Sequence, residues 1–544
     1  MRQVFSRGFH RCCALAVLVS TATAQSGGIQ RGLQYGENWV PTTKDSELVA
    51  RNFPDVNITL LSPAFLNPET VPDAFSEGQD GPTDDAVLDA FIHKLADSNS
   101  WMNYQPSDFK SEEGRTLPYV HLSSGSNSTK LRVYLQGAIH GNEPAADQSI
   151  LAFLGKLDAD KAWAESILEH IDIKVLARYN VDGVSYFQRQ LACNLDPNRD
   201  HIKLMREQTR KIKRIVSEWN PHIAIDMHEF TATTIFGGSY QHGADALLSG
   251  GINPNIHPEI RKQVLDVFIP HIGGALETYG IRWEPYVTGS SNTTIGSPIT
   301  LQEAVTEART GRNAVGLTQT ISFLCEMRGI RIANQHFQRR VATALTKITA
   351  ILELARDNYA SVLSTVEKAR EEFINSDDDI VVTDSYVSEN KTFTMVDRTN
   401  GSVVQAPIKF ISTTPSVANL TRPRPEAYII PRTWFDIAER LQILGLKVET
   451  MKEQFTGIVE TLVATSSSVD TELYEGQFLN TVTTNSSSRE IVLPAGSFYV
   501  STRQQNAALA FIALEPENID SFVTFNIIPL ETGMEYPVFR IPRD

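Results

Sequence analysis

From about residue 85 to residue 373 the apolar positions follow two alternating rhythms. Short runs rich in Val, Ile and Leu fall at 131–139 (LRVYLQGAI), 171–180 (IDIKVLARYN), 221–228 (PHIAIDMH) and 319–329 (QTISFLCEMRG), and each predicts a strand. Between them the spacing turns helical: after Pro144, over 201–218 (HIKLMREQTRKIKRIVSE), over 258–279, and over a long stretch from 334 to 373. Apolar strands separated by helices predict an α/β fold: a mixed, mainly parallel sheet flanked by helices. Ligand sites in such folds gather where strands end.

Outside that region the rhythm changes. Residues 25–84 are rich in Pro, Gly, Asn and Asp, show little periodicity, and are expected to wrap the main domain as an extended segment. The charge cluster in FINSDDDI (373–380) breaks the pattern, so a catalytic-type domain is expected over 85–373. Residues 374–544 are rich in Thr, Ser and Val and predict a smaller β-rich module, with RPRPEAYIIP extended and TWFDIAERLQILG a short helix. At the start, Arg2, Arg7 and Arg11 flank the short apolar run Cys12–Val19, followed by Ala22-Thr23-Ala24. That is the pattern of a signal peptide over 1–24. No stretch reaches the length of a membrane-spanning helix, so no membrane association is expected. The chain is expected to be secreted or delivered to a lytic compartment. Seven Asn-x-Ser/Thr sequons, at Asn57, Asn127, Asn292, Asn390, Asn400, Asn419 and Asn485, agree with a glycosylated exoprotein.

Composition narrows the function classes. The 544 residues exceed one compact domain, and 41% hydrophobic with 21% charged residues is an ordinary globular balance. A net charge of −15 argues against nucleic acid as the main partner, because phosphate binding needs a basic face. Nothing in the sequence sets the oligomeric state. Once the signal segment leaves, Cys193 and Cys325 remain; they either pair as a disulfide in an oxidising compartment or stay as two free thiols.

The chemistry-bearing residues cluster at strand ends. His140 and Glu143 stand three apart in HGNE, between a predicted strand and a helix that starts at Pro144. His228 closes the strand that ends in DMH. A hydrolytic zinc site needs three such ligands and one open position, and these three could meet in one crevice. Other histidines (His222, His242, His257, His271) have no acidic partner at a telling spacing and read as structural. Hydrolysis also needs a base, and Glu326 lies inside an apolar strand, where a carboxylate is costly unless paired or functional. The alternative is a salt bridge to Arg328, which alternation places on the same side of that strand. Asn180, Arg189, Asn198 and Arg199 lie beside strands and turns; a guanidinium fork suits a free carboxylate or a developing oxyanion.

In order along the chain, HGNE, NVDG (180–183), DPNR (196–199), DMH (226–228) and CEMR (325–328) resemble the zinc metallocarboxypeptidase family, the carboxypeptidase A-like enzymes, over roughly 85–360. The resemblance implies a secreted enzyme that removes the C-terminal residue of peptides or proteins with one Zn2+ per chain. It implies that His140, Glu143 and His228 bind zinc and that Glu326 is general base and then acid. It further implies that Arg189 stabilises the oxyanion, that Asn198 and Arg199 hold the substrate's terminal carboxylate, and that Asp196 orients His140. Pro197 and Asp200 depart from the usual family pattern. The family's substrate-capping tyrosine has two candidates here, Tyr286 and Tyr240, and Arg312 or Asn313 is a candidate for the pocket of the last side chain. A Cys193–Cys325 disulfide would brace the arginine loop against the Glu326 strand.

Two other functions fit parts of the pattern. An N-acyl amino acid amidohydrolase of the desuccinylase type shares His-x-x-Glu, the later His and the Glu strand. An inactive binding protein on the same fold would have lost a ligand or the base, and all four are present.

Overall fold

The computed structural model describes residues 42–71, 82–125 and 129–543; the expected signal peptide and the Asn127 sequon lie outside the described residues. The central element is an eight-stranded sheet. Its strands are β1 (Met102–Tyr104), β2 (Tyr119–Leu122), β3 (Leu131–Gly137), β4 (Ile171–Leu176), β5 (Ile223–Thr231), β6 (Ala246–Gly250), β7 (Trp283–Pro285) and β8 (Ile321–Ile330), in spatial order β1-β2-β4-β3-β5-β8-β6-β7. The four strands β4, β3, β5 and β8 run parallel, as does the β6–β7 pair, whereas β1–β2, β2–β4 and β8–β6 are antiparallel. The sheet is therefore mixed and mainly parallel, as the apolar runs predict. β5 and β8 are buried almost end to end, which is why their sequences do not alternate in polarity.

Helices cover the sheet. Pro144–Ala159 starts directly after the β3 turn with Pro144 in its first turn, and nearly all of it is buried. The 334–373 stretch forms two helices, Phe337–Asp357 and Tyr359–Asn375, broken at Asn358. The helix expected over 201–218 begins only at Glu207. Asp200 accepts the N–H groups of Met205 and Arg206 and holds 200–206 as a turn instead. The 171–180 run likewise leaves the sheet at Leu176; Asn180 caps the short helix Val181–Tyr186 by accepting the Gly183 N–H at 2.8 Å.

Beyond Asn375 the chain is mainly β. A long hairpin, Ile380–Asp397 with Val403–Arg422, joins Tyr240–His242, Thr300–Glu303 and Val287–Thr288 in a five-stranded sheet. A second hairpin, Phe455–Tyr474 with Gln477–Leu493, belongs to a six-stranded sheet with Ala427–Ile430, Glu449–Thr450, Phe498–Ser501 and Phe539–Ile541. The helix Ala507–Leu514 has no polar residue, and all eight of its residues are buried. Leu509 and Phe511 on it, with Val382, belong to the same continuous core as Leu345 and Ile348 of the helix Phe337–Asp357.

The segment before the first helix of the main fold is pinned to it. Asp45 takes a two-pronged ion pair from Arg328 on β8, at 2.5 and 2.9 Å, and Gln338 bonds the backbone of Val56. Cys193 and Cys325 are both free thiols, so the bracing disulfide does not form. Cys325 is fully buried in β8, and the Cys193 N–H is engaged by Glu112 instead.

Candidate active site

The three parallel strands β3, β5 and β8 end together, and their C-terminal ends carry the site. β5 and β8 are neighbours in register, so His228 stands directly beside Glu326. After β3 the chain turns through Ala138, at a positive φ of 52°, and His140 to Glu143 cross the end of the sheet. Gly141 is obligatory in that crossing: a Cβ there would lie 2.0 Å from the Gly183 carbonyl carbon of the NVDG loop. Asn180 then ties that loop to the next one, donating to the carbonyls of Arg189 and Gln190 at 3.2 and 2.9 Å.

The result is a tight buried cluster. Glu143 Oε1 is 2.7 Å from His140 Nδ1, and Glu143 Oε2 is 3.0 Å from His228 Nδ1 and accepts the Glu229 N–H at 2.8 Å. One donor atom from each of His140, Glu143 and His228 lies within 4.8 Å of the other two, so the three could hold a single metal ion. The far side of each imidazole meets a carboxylate: Asp196 Oδ1 is 3.2 Å from His140 Nε2, and Asp226 Oδ2 is 3.0 Å from His228 Nε2. Such contacts orient ligating histidines and raise their basicity. Burial works against the charge of Glu143, yet the two imidazoles outweigh it and hold its carboxyl far below the usual range. For His228 burial is likewise outweighed, by Asp226 and Glu143, and its pKa is raised. Three carboxylates around two imidazoles make a pocket that suits a cation.

Glu326 stands beside this cluster, 5% exposed, and its Oε2 has no hydrogen-bond partner. The expected alternative, a salt bridge to Arg328, is not made, because Arg328 is committed to Asp45. Burial raises the Glu326 carboxyl to about 7; His228 opposes the rise and Glu143 adds to it. The buried Lys347 donates to the Glu326 backbone carbonyl at 2.6 Å and fixes the strand at that residue.

The arginine loop lies on the other side. Arg189 gives Nε and Nη2 to Asp196, at 3.1 and 2.8 Å, which leaves Nη1 pointing at the cluster, 3.1 Å from His140 Nδ1. Asn198 donates its backbone N–H to Asp196 Oδ1 and accepts the Gly311 N–H on Oδ1 at 2.7 Å. Arg199 follows, held by the Asn198 carbonyl at 2.8 Å. Asp200 turns its carboxylate to the Met205 and Arg206 amides, where it stabilises the turn.

Of the two tyrosines, Tyr286 is the one half-buried beside the arginines: burial and then the Glu326 carboxylate push its phenol up, while Arg312, Arg199 and Arg189 oppose the rise. Tyr240 instead pairs with Asp397 in the five-stranded sheet. Asn313 is spent on backbone groups of Ile252, Asn253, Val305 and Glu307, whereas the Arg312 guanidinium lies 6.0 Å from the centre of the Tyr286 ring. Sequence reasoning passed over three residues. Asp226 carried a usable signal, since it sits two before His228 and therefore on the same face of β5. Lys347 and Glu475, which bonds the arginine loop, carried none.

The chain is similar to known carboxypeptidases. Residues 89–242 match the family described as zinc carboxypeptidase. The chain is 51% identical over 518 residues to carboxypeptidase 2 of Trichophyton tonsurans, covering 94% of this chain and 96% of that protein. It is 50% identical over 519 residues to carboxypeptidase 2 of Trichophyton rubrum, with the same coverage. Among solved structures, a metallo-carboxypeptidase from Burkholderia cenocepacia aligns with 51% of this chain and 70% of its own, at 13% identity and a TM-score of 0.41. The chain belongs to the zinc carboxypeptidase family.

Proposed function

We propose that this chain is a secreted carboxypeptidase that hydrolyses the last peptide bond of peptides and proteins, with Glu326 as its base. The observation that carries the reading is the buried Glu326 carboxylate, with one oxygen unpartnered, set beside the His140–Glu143–His228 cluster. His140, Glu143 and His228 would hold the zinc ion, which would supply Lewis acidity toward the scissile carbonyl and the attacking water. Glu326 takes the proton from the attacking water and returns it to the leaving amine; its buried carboxylate has one oxygen without a hydrogen-bond partner for these transfers. Arg189 is oriented toward the developing oxyanion because Nε and Nη2 are anchored on Asp196, which directs Nη1 at the His140–Glu143 side of the cluster. Asn198 and Arg199 take the free C-terminal carboxylate, and Tyr286, with Arg312 behind it, flanks the bound residue.

Secretion is supported by the signal pattern at 1–24 and by six sequons, Asn57, Asn292, Asn390, Asn400, Asn419 and Asn485, all of which are exposed. Among the described residues no helix is long and apolar enough to cross a membrane.

The test is mass spectrometry of a mixed peptide pool incubated with the protein, with and without a zinc chelator, beside Glu326→Gln. Chelator-sensitive loss of single C-terminal residues is expected. The variant should be slower by about 10³-fold in kcat. Its melting temperature should not fall, because one Glu326 oxygen makes no hydrogen bond. Release of acyl groups with the peptides left intact would refute the reading in favour of the amidohydrolase.

A further inference from the structure

The second hairpin, Phe455–Tyr474 with Gln477–Leu493, turns through two residues, Glu475 and Gly476. Both have positive φ, 47° and 81°, as a type I′ hairpin turn requires. Glycine or asparagine normally takes such positions; a glutamate at the first one adopts an unfavourable backbone conformation and is retained for another reason. That reason is visible at the tip. Glu475 Oε2 accepts the Asp196 backbone N–H at 2.7 Å, and the Glu475 carbonyl accepts Lys203 Nζ at 2.6 Å. Gly476 faces Leu195, and Tyr474 lies under the Arg309 guanidinium, 4.9 Å from its ring centre. The tip therefore bears on the loop that carries Asp196, Asn198 and Arg199, from 279 residues away in sequence.

We propose that Glu475 is a positioning residue for the reaction: by holding the Asp196 N–H it fixes Asp196 against His140 and Arg189, so the C-terminal part of the chain completes the active site. The inference rests on the site reading given above. Glu475 touches neither substrate nor metal ligand and acts through Asp196, whose Oδ1 meets His140 and whose Oδ2 holds Arg189. A carboxylate at this distance from the backbone reaches the amide; a side chain one methylene shorter at the same position does not.

The substitution Glu475→Asn separates positioning from folding, because asparagine suits the left-handed turn but is too short to reach Asp196. Its melting temperature should equal or exceed that of the wild type. Its kcat/KM on a C-terminal dipeptide bond should fall about 10-fold, and zinc should be lost to a chelator about 10-fold faster. Glu475→Gln keeps an acceptor oxygen at the original reach and should restore both values to within about 3-fold. Wild-type kcat/KM and zinc retention in Glu475→Asn would overturn the proposal, and so would a Glu475→Gln as impaired as Glu475→Asn. A wild-type protein with no chelator-sensitive release of C-terminal residues would instead overturn the site reading, and the proposal with it.

Discussion

At the scale of the residue, the site is read from a few side chains whose charges make sense only together. His140, Glu143, His228 and Glu326 stand out in the sequence because each sits at a strand end or within an apolar strand, where a polar residue needs a reason to be there, and the fold brings the first three within reach of one metal ion with Glu326 beside them. Asp226 was legible in principle by alternation, yet its part depends on which imidazole nitrogen it meets, and that is a matter of three dimensions. Its Oδ1 is held by Gln136 at 3.0 Å, which leaves Oδ2 for His228. Replacing it by asparagine should leave the circular dichroism spectrum unchanged and weaken zinc affinity by about 10–100-fold, measured by competition with a chromophoric chelator. Tyr286 and Tyr240 look alike in the sequence; the fold puts Tyr240 opposite Asp397 in the five-stranded sheet and Tyr286 just past β7, at the edge beside β6.

At the scale of the element, sequence patterns gave the existence of the strands and helices more readily than their limits. β3 and β4 fall within the apolar runs, and β5 and β8 overlap theirs but end three residues and one residue beyond them; the polar turn chemistry of Asp200 and Asn180 trims what periodicity alone would extend elsewhere. The clamp between the N-terminal segment and β8 was not legible at all, since a lone aspartate at 45 announces no partner 283 residues away. It has a measurable signature. Burial works to raise the Asp45 carboxyl, but His336 and Arg328 outweigh it and hold it at about 2, against 3.8 for a free aspartate. The unfolded chain thus binds this proton more tightly than the folded one. The stabilisation, about 2–3 kcal/mol, is complete above pH about 4 and is lost as the pH falls toward 2. Urea unfolding of wild type and Asp45→Asn should differ by about 3 kcal/mol at pH 6, and the gap should shrink through that acid window. A constant gap from pH 6 to 2 would mean that the ion pair is not its source.

At the scale of the whole molecule, the composition shift near residue 373 marks a change from helix to strand, while the apolar core runs across it. The wholly apolar helix Ala507–Leu514 sits in one cluster with the helix that backs β8. A chain cut after Asn375 should therefore expose that shared surface; we expect it to be insoluble or to bind a hydrophobic dye and lose its near-ultraviolet dichroism. A soluble, cooperatively melting fragment would show that the first part stands alone. Sequence could not announce this, because cohesion between segments far apart leaves no local period. The hairpin tip at Glu475 also has a consequence in time. A ribosome delivers His140, Glu143, His228 and Glu326 first, and the residue that steadies Asp196 emerges about 150 positions after Glu326. At roughly 5–20 residues per second, the four candidate site residues precede the hairpin tip by roughly 10–30 s. On the positioning role proposed for Glu475, a chain still short of that tip should hold zinc less well than the finished protein, so synthesis itself acts as a delay.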